Sequence, residues 1–201
     1  MGICVEQLTK ADMIERYVER FAELVGVNIP ADYLRKGSVY GCFNGSGAMV
    51  GGYTLVTDPP YRGVVFLPDD IRNGHWFFRS ISLDNVVEVN GVWLERSVDL
   101  SIHDRWHFWW QIVRSLRRTK KRYVLVWYND LNKHLKRFYS RVKKEIIYRG
   151  QSAPHGGETT HPEICVAYTT RTKLYYSILS YLPRVIKLRV TKAWRKFCWS
   201  R

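Results

Sequence analysis

Acidic residues are scarce in this chain of 201 residues. It has 18 Asp and Glu against 32 Lys and Arg, which gives a formal net charge of +14. A surface with this charge attracts anions, and the candidates are nucleic acid, anionic lipid, phosphate groups and acidic proteins. No recognised nucleic-acid-binding motif accompanies the charge, so a nucleic-acid partner is not expected.

Cysteine pairs, long apolar runs and a secretory leader are also missing. The four cysteines lie far apart and form no CxxC pair, which predicts neither a zinc site nor a disulfide framework. No apolar run reaches the roughly 18 residues of a membrane-spanning helix. The first residues, MGICVEQLTK, lack the apolar core of a secretory signal. We therefore expect a cytoplasmic protein whose contact with membranes is at most peripheral.

The spacing of apolar residues predicts a mixed α/β domain. Thr9 is expected to cap a helix that ends at Gly26, and Asn44–Gly47 is a hairpin signal. Residues 57–82 contain three prolines and predict a long irregular excursion with one helical turn. A long strand with a bulge at Gly91 should follow. This strand is expected over 86–98. It is followed, in order, by a helix over 101–120, a strand over 122–129, a helix over 130–142, and strands over 144–150 and 163–170.

One apolar stripe is expected on the helix over 101–120, where three tryptophans recur at helical spacing. Its members are Ile102, Trp106, Trp109, Trp110, Val113 and Leu116.

The C-terminal segment 171–201 differs from the rest in charge. It holds nine Lys and Arg and no acidic residue. Beyond Pro183, apolar residues recur at helical spacing, which predicts an amphipathic helix at a membrane interface. A docked helix with a solvated basic face is the alternative.

The segment NDLNKHLKRFYSRVKKEIIYRG is similar to one in the GCN5-related N-acetyltransferase (GNAT) superfamily. The fourth helix of that family carries an early Asn and a later aromatic–Tyr pair, and Asn132 and Phe138-Tyr139 match these positions. The resemblance covers roughly residues 3–170. It implies an α/β GNAT fold with a mixed central sheet and helices on both faces. An acyltransferase domain of residues 1–170 would then precede a basic C-terminal helical extension, residues 171–201.

Glycine is missing where members of this family that use coenzyme A have a phosphate-binding loop. Their loop reads Gln/Arg-x-x-Gly-x-Gly/Ala, whereas this chain has SVDLSIHDRWHFW. Acyl-homoserine-lactone synthases and long-chain N-acyl amino acid synthases also have a degenerate loop, and they take acyl groups from acyl carrier protein. Their Glu-x-Ser pattern resembles Glu95-Arg96-Ser97, although Val98 follows where the lactone synthases have Arg. Acyl carrier protein is acidic, which fits a chain of this charge.

The resemblance implies roles for individual residues in the aminolysis of a thioester. Glu95 would take a proton from the amine, with Glu88 as the alternative, and Tyr139 would protonate the leaving sulfur. Ser97 completes the predicted catalytic set. The donor would be held by the backbone N–H of Val98, by Asn132 at the pantetheine arm, and by the residues in place of the phosphate loop, which are Ser101, Ile102, His103, Asp104 and Arg105.

Ordinary structural interpretations exist for the same residues. Glu95 would pair with Arg96 at the surface, Tyr139 would lie on the core side of its helix, and Arg105 would be solvated. His103 and His107 share a helix face in HDRWH, but the Glu of HExxH and a third ligand are missing, so no metal site is predicted. Asp99 with His103 is a further possible pair for acyl transfer.

The sequence therefore favours an N-acyltransferase. It would move a fatty acyl group from acyl carrier protein or acyl-CoA to an amine of an amino acid or a peptide side chain of lysine or ornithine type, as in natural-product biosynthesis and peptide lipidation. No tightly bound cofactor is expected, because the thioester is a co-substrate. The alternatives are an acetyl-CoA-dependent N-acetyltransferase and a basic adaptor on the same scaffold that binds membrane or nucleic acid.

Overall fold

A seven-stranded mixed sheet forms the centre of the protein. The computed structural model describes residues 2–26, 28–95, 99–130, 136, 139–140, 142–153 and 163–180. The spatial order of the strands is β1-β2-β3-β4-β5-β7-β6, and β4 and β5 are the parallel pair among antiparallel neighbours. The strands are β1 (Cys4–Leu8), β2 (Ser38–Phe43), β3 (Met49–Val56), β4 (Val86–Leu94), β5 (Tyr123–Asn129), β6 (Glu145–Gly150) and β7 (Ile164–Thr170).

Helices cover both faces of this sheet. They are α1 (Ala11–Val25), α2 (Ala31–Arg35), α3 (Arg62–Val65), α4 (Asp69–Gly74), α5 (Trp76–Ser80), α6 (Ile102–Arg118) and α7 (Arg171–Leu179). Side chains of α6 and α7 pack on one face, which we call the α6 face. Those of α1 to α5 pack on the other, the α1 face. The predicted α/β architecture is confirmed.

The segment 57–82 differs from its prediction as a largely irregular excursion. It contains the three short helices α3, α4 and α5, and β4 follows after one turn of 3-10 helix. Tyr61, Phe66 and Phe77 are fully buried and fasten the segment to the sheet. These buried side chains hold the segment in a regular structure. The sequence did not reveal the three helices, because each is too short to show a helical period.

Two details of the predicted helices also change. The α1 helix begins at Ala11, and Lys10 rather than Thr9 occupies its cap position. On α6 the fully buried aromatic is Phe108, whereas Trp106, Trp109 and Trp110 are only partly buried. The core stripe runs through Phe108, Ile112 and Leu116, so the tryptophans lie on its flanks.

Local backbone chemistry explains the β2–β3 hairpin, which the sequence predicted. Asn44 Oδ1 accepts hydrogen bonds from the backbone N–H of Ser46 at 3.1 Å and of Ala48 at 2.9 Å. Gly47 adopts φ +79°, a left-handed conformation that favours glycine.

Part of the C-terminal segment is described. The α7 helix starts directly after β7 and packs along α6, where the rings of Tyr175 and Trp110 lie 6.1 Å apart. Residues 181–201, for which an interfacial helix was predicted, lie outside the described residues. Within the described ranges, no helix has the length and apolar character needed to cross a bilayer.

Candidate active site

The parallel strands β4 and β5 separate towards their C-terminal ends. Their pairing runs from Val86–Tyr123 to Val89–Val126, and the remaining residues of both strands continue beyond it. On its other side, β4 stays paired with β3 up to Leu94. The ends of these two neighbouring strands are therefore not paired with each other, and we call the region between them the wedge.

A β-bulge bends β4 where the wedge begins. Gly52 pairs with Trp93 and Thr54 pairs with Asn90, so two β4 residues stand opposite the single residue Tyr53. Gly91 has φ +58°, and the Tyr17 hydroxyl of α1 donates a short hydrogen bond to its carbonyl oxygen. This confirms the predicted bulge. The extra residue shifts the alternation of side chains by one position. Two β4 residues on opposite sides of the bulge therefore lie on the same face of the sheet when they are an odd number of positions apart.

Glu88 lies on the α1 face at the start of the wedge and is fully buried. The Tyr33 hydroxyl and the backbone N–H of Arg62, at 3.0 Å, donate to Oε2, and the backbone N–H of Gly63 donates to Oε1 at 2.6 Å. Burial raises the pKa of Glu88, while the hydrogen bonds from Tyr33 and the two amides oppose that rise. Sequence reasoning missed these partners, because they come from α2 and α3, far from β4 along the chain.

Asn90 carries a hydrogen-bond donor that is not used within the described part of the chain. Its Oδ1 accepts from the backbone N–H of Gly91 at 2.7 Å, while the buried Nδ2 has no acceptor there. An unpaired buried donor costs free energy, so this amide is suited to meet a polar atom of a bound molecule.

Tyr139 is buried on the α6 face, where its ring stacks on that of Tyr128 with centroids 4.7 Å apart. The Lys144 ammonium donates to its backbone oxygen at 2.6 Å. Burial, and secondarily the negative charge of Glu88, raises the pKa of the Tyr139 phenol. The side chains of Tyr139 and Glu88 lie on opposite faces of the sheet. Tyr139 therefore keeps its proton at neutral pH and can act as an acid.

Glu95 follows β4 directly, and its backbone N–H donates to Val50 O at 2.8 Å. Its carboxylate pairs with Arg20 of α1 at 3.0 Å and is 15% exposed. Because the bulge lies between them, Glu88 and Glu95 share the α1 face, as their contacts with α2 and α1 show. Glu95 is thus the more accessible of the two carboxylates.

The first turn of α6 contains the residues predicted to replace a phosphate-binding loop. Ser101 and Asp104 form a reciprocal capping box, in which Asp104 Oδ2 accepts from Ser101 N at 3.0 Å and Ser101 Oγ accepts from Asp104 N at 3.1 Å. The hydrogen bond from Ser101 lowers the pKa of Asp104. The Asp104 carboxylate therefore already occupies the N-terminus of α6, so the described residues there do not form a binding site for a pyrophosphate.

The other predicted binding residues take different positions. Ile102 opens α6, His103 is exposed, and Arg105 Nε approaches the backbone oxygen of Leu100 at 3.4 Å. Among the described residues, no three His, Cys, Asp or Glu side chains are grouped as metal ligands. Three predicted residues lie outside the described residues: Ser97, Val98 and Asn132.

An open groove lies on the outer side of α6. It measures about 590 Å³ and is bordered by residues 2 and 3, the first turns of α6 and the end of α7. Trp106, Trp110 and Leu179 form its apolar wall.

Solved structures with the same architecture include several acyl-transferring enzymes. FeeM, an N-acyl amino acid synthase from uncultured soil microbes, superposes with a TM-score of 0.61 over 87% of this chain and 94% of its own, at 15% identity. An IAA acetyltransferase from Bacillus cereus gives a TM-score of 0.53 at 10% identity, covering 84% and 99%. The yncA protein of Salmonella typhimurium, solved with acetyl-CoA, gives 0.53 at 11% identity, covering 85% and 95%. No protein-family model and no curated protein matches the sequence.

Proposed function

Because the chain has the fold of the GNAT superfamily, we propose that it is an N-acyltransferase that moves an acyl group from a thioester to an amine. The observation that supports this is the wedge between β4 and β5, with a buried phenol on one face of the sheet and two carboxylates on the other. A thioester carbonyl in the wedge would lie between a group that accepts a proton and one that donates a proton.

The reaction that fits these groups is aminolysis. The amine nitrogen attacks the thioester carbonyl carbon and gives up a proton to a carboxylate. The tetrahedral intermediate then collapses, the C–S bond breaks, and the Tyr139 hydroxyl donates its proton to the leaving thiolate. The proton held by the carboxylate returns to Tyr139 through solvent. The backbone N–H of Val98 is proposed to polarise the carbonyl.

Glu95 is the proposed proton acceptor, because it is partly accessible and its pairing with Arg20 fixes its orientation. Glu88 is the alternative. It interacts with Tyr139, but three donors already surround its buried carboxylate, which leaves it little room to reach a substrate. We assign Glu88 the role of holding α2 and α3 against β4.

A fatty acyl group on a carrier protein is favoured over a coenzyme A thioester as the donor by two features. The segment from residue 96 to 108 has no glycine, and Asp104 places a negative charge at the α6 N-terminus. Both disfavour a bound pyrophosphate, whereas an acyl-carrier thioester brings a single phosphate. Asn132 and the residues 101–105 are proposed contacts of that donor, and Ser97 is a proposed member of the catalytic set. FeeM is an N-acyl amino acid synthase, which agrees with an N-acyl product, and an amino acid or a peptide amine is the proposed acceptor.

Acetyl-CoA remains the second candidate donor, since yncA was solved with it. Comparing acetyl-CoA, decanoyl-CoA and palmitoyl-carrier thioesters on the purified chain decides between them. Free thiol is measured with and without glycine, lysine and ornithine as acceptors. Amine-dependent thiol release from the long-chain donors supports the proposal, and release from acetyl-CoA alone would favour the acetyltransferase.

Variants test the catalytic assignment, with a control that shares the same arginine. Glu23 also pairs with Arg20, at 2.7 Å, and its side chain is 60% exposed. Glu95→Gln and Tyr139→Phe are each expected to lower kcat/KM by about 100-fold or more, while Glu23→Gln leaves it within about twofold. If Glu88→Gln abolishes turnover in a folded protein and Glu95→Gln does not, Glu88 is the base. Full turnover in both Glu95→Gln and Tyr139→Phe would refute this catalytic assignment. A wild-type chain that releases no thiol from any of these thioesters would favour the adaptor, whose proposed membrane contact is segment 171–201.

A further inference from the structure

A cluster of basic side chains forms one end of the molecule. Residues 114–122, which join the last turns of α6 to β5, contain six Lys and Arg, and we call this segment the basic end. Arg114, Arg117, Arg118, Lys120 and Arg122 are all exposed. No Asp or Glu occurs in the sequence between Asp104 and Asp130, so the charge is not balanced locally.

The neighbouring elements add charges of both signs. Lys121 Nζ donates to the backbone oxygen of Asp84 at 2.8 Å, which places the exposed Asp84 beside the cluster. The backbone N–H of Arg171 donates to Arg122 O at 3.0 Å, so the start of α7 brings further cations to this end. Among them, Lys173 pairs with Glu145 at 2.7 Å, with both side chains half exposed.

Exposed apolar side chains border the basic end. Trp76 is 50% exposed, and its ring contacts that of Tyr168 at 5.7 Å. Tyr168 contacts Tyr123 at 6.2 Å, and the Arg122 guanidinium lies over the Tyr123 ring at 5.5 Å. Ile146, which is 48% exposed, follows Glu145 on the edge strand β6. A large indole and a branched aliphatic group therefore lie beside a concentration of positive charge.

This end is remote from the wedge. The basic end precedes β5, whereas the wedge opens at the C-terminal ends of β4 and β5. A thioester donor that enters the wedge does not need this surface, so the cluster has no evident role in the proposed transfer.

We propose that the basic end is a docking surface for an anionic lipid bilayer. Basic side chains gain energy from the negative surface potential of such a membrane, and half-exposed Trp and aliphatic groups partition into its interface. The Trp76 indole, half exposed beside these cations, favours a bilayer over a polyanion that has no apolar layer. The proposal does not depend on the proposed catalytic activity.

The test measures binding of the full-length chain to phosphatidylcholine vesicles with and without about 30% phosphatidylserine, by co-sedimentation. In the patch variant, Arg114, Arg117 and Lys120 are replaced by Gln, which preserves helix propensity at the two arginines of α6. Each cation near an anionic surface strengthens binding about fivefold, so the loss of three is expected to weaken it on the order of 100-fold.

A matched control removes the same charge elsewhere. Lys10, Arg16 and Lys36 are exposed on or beside α1 and α2, and replacing them by Gln should change binding by no more than about threefold, through long-range charge alone. Residues 181–201 stay intact in both variants, so any contribution from their seven Lys and Arg is common to both.

Trp76→Ala separates a bilayer from other polyanions. It should weaken vesicle binding several-fold and leave binding to a single-stranded oligonucleotide unchanged. The proposal is overturned if the wild-type chain does not bind anionic vesicles or if the patch variant binds them as well as the control variant does. It is also overturned if the patch substitutions weaken binding only to an oligonucleotide or to an acidic carrier protein. Circular dichroism establishes that each variant is folded, and thiol release on soluble thioesters reports separately on the proposed activity.

Discussion

The bulge at Gly91 can be tested by adding a single methyl group. An ideal Cβ on Gly91 would lie 2.6 Å from the Tyr17 hydroxyl oxygen, closer than real contacts of this kind. Alanine at this position would also have to adopt φ +58°. The left-handed conformation costs about 1–2 kcal/mol for a residue with Cβ. Displacing Tyr17 from the carbonyl of Gly91 adds about 1–3 kcal/mol, since a buried acceptor then lacks its donor. Gly91→Ala should therefore lower the free energy of unfolding by about 2–5 kcal/mol in total.

A second glycine separates these two costs. Gly47 has φ +79°, and an added Cβ there would meet no atom within 4 Å. Gly47→Ala should therefore cost only the backbone strain, about 1–2 kcal/mol. Urea unfolding followed by circular dichroism measures both variants, provided that the slope against urea concentration is unchanged.

A double-mutant cycle with Tyr17→Phe completes the test. Removing the hydroxyl leaves the Tyr17 ring, whose nearest carbon lies 3.5 Å from the added Cβ. In that background, Gly91→Ala should cost no more than Gly47→Ala does. The reasoning is refuted if Gly91→Ala and Gly47→Ala are equally destabilising in the wild-type chain, or if Tyr17→Phe leaves the extra cost unchanged.

The α6 cap and the buried tyrosines give two further predictions. Asp104→Asn should lower the free energy of unfolding by about 1 kcal/mol at neutral pH, whereas Asp12→Asn in the first turn of α1 should change it less. Because folding lowers the pKa of Asp104, the stability difference between the wild-type chain and Asp104→Asn is present above about pH 4 and should vanish as the pH falls below that value. Urea midpoints of the two chains that still differ at the acid limit would contradict this expectation. Burial raises the pKa of Tyr17 and Tyr139, so the stability they contribute is present below about pH 10 and is lost as the pH rises further. Tyrosinate absorbance should therefore appear partly in step with alkaline unfolding, and complete titration of a still-folded chain would contradict this.

Features set by neighbouring residues could be predicted from the sequence. The hairpin depends on Asn44 and Gly47, which satisfy the turn by themselves. The bulge depends on a glycine inside an otherwise apolar strand, which is also a local signal. The GNAT fold was predicted from a short motif and the order of elements, and the structure comparisons confirm it.

Features made by distant parts of the chain could not be predicted. Tyr33 and Glu88 are 55 positions apart in sequence, and no local pattern announces their hydrogen bond. The choice of Phe108 over the tryptophans as the core residue of α6 depends on which side of the helix faces the sheet, where Phe108 contacts Tyr53 of β3. The pairing of Glu95 with Arg20 depends on the bulge, because one extra residue decides which face the carboxylate takes.

The groove on α6 joins the beginning and the end of the described chain. Gly2 and Leu179 both border it, although they are separated by almost the whole sequence. A fluorescent label or an affinity tag placed before residue 2 would thus project from the place where residues 181–201 continue. A bulky fusion at the N-terminus would lie next to the end of α7, whereas a small label at Lys120 would report from the opposite end of α6.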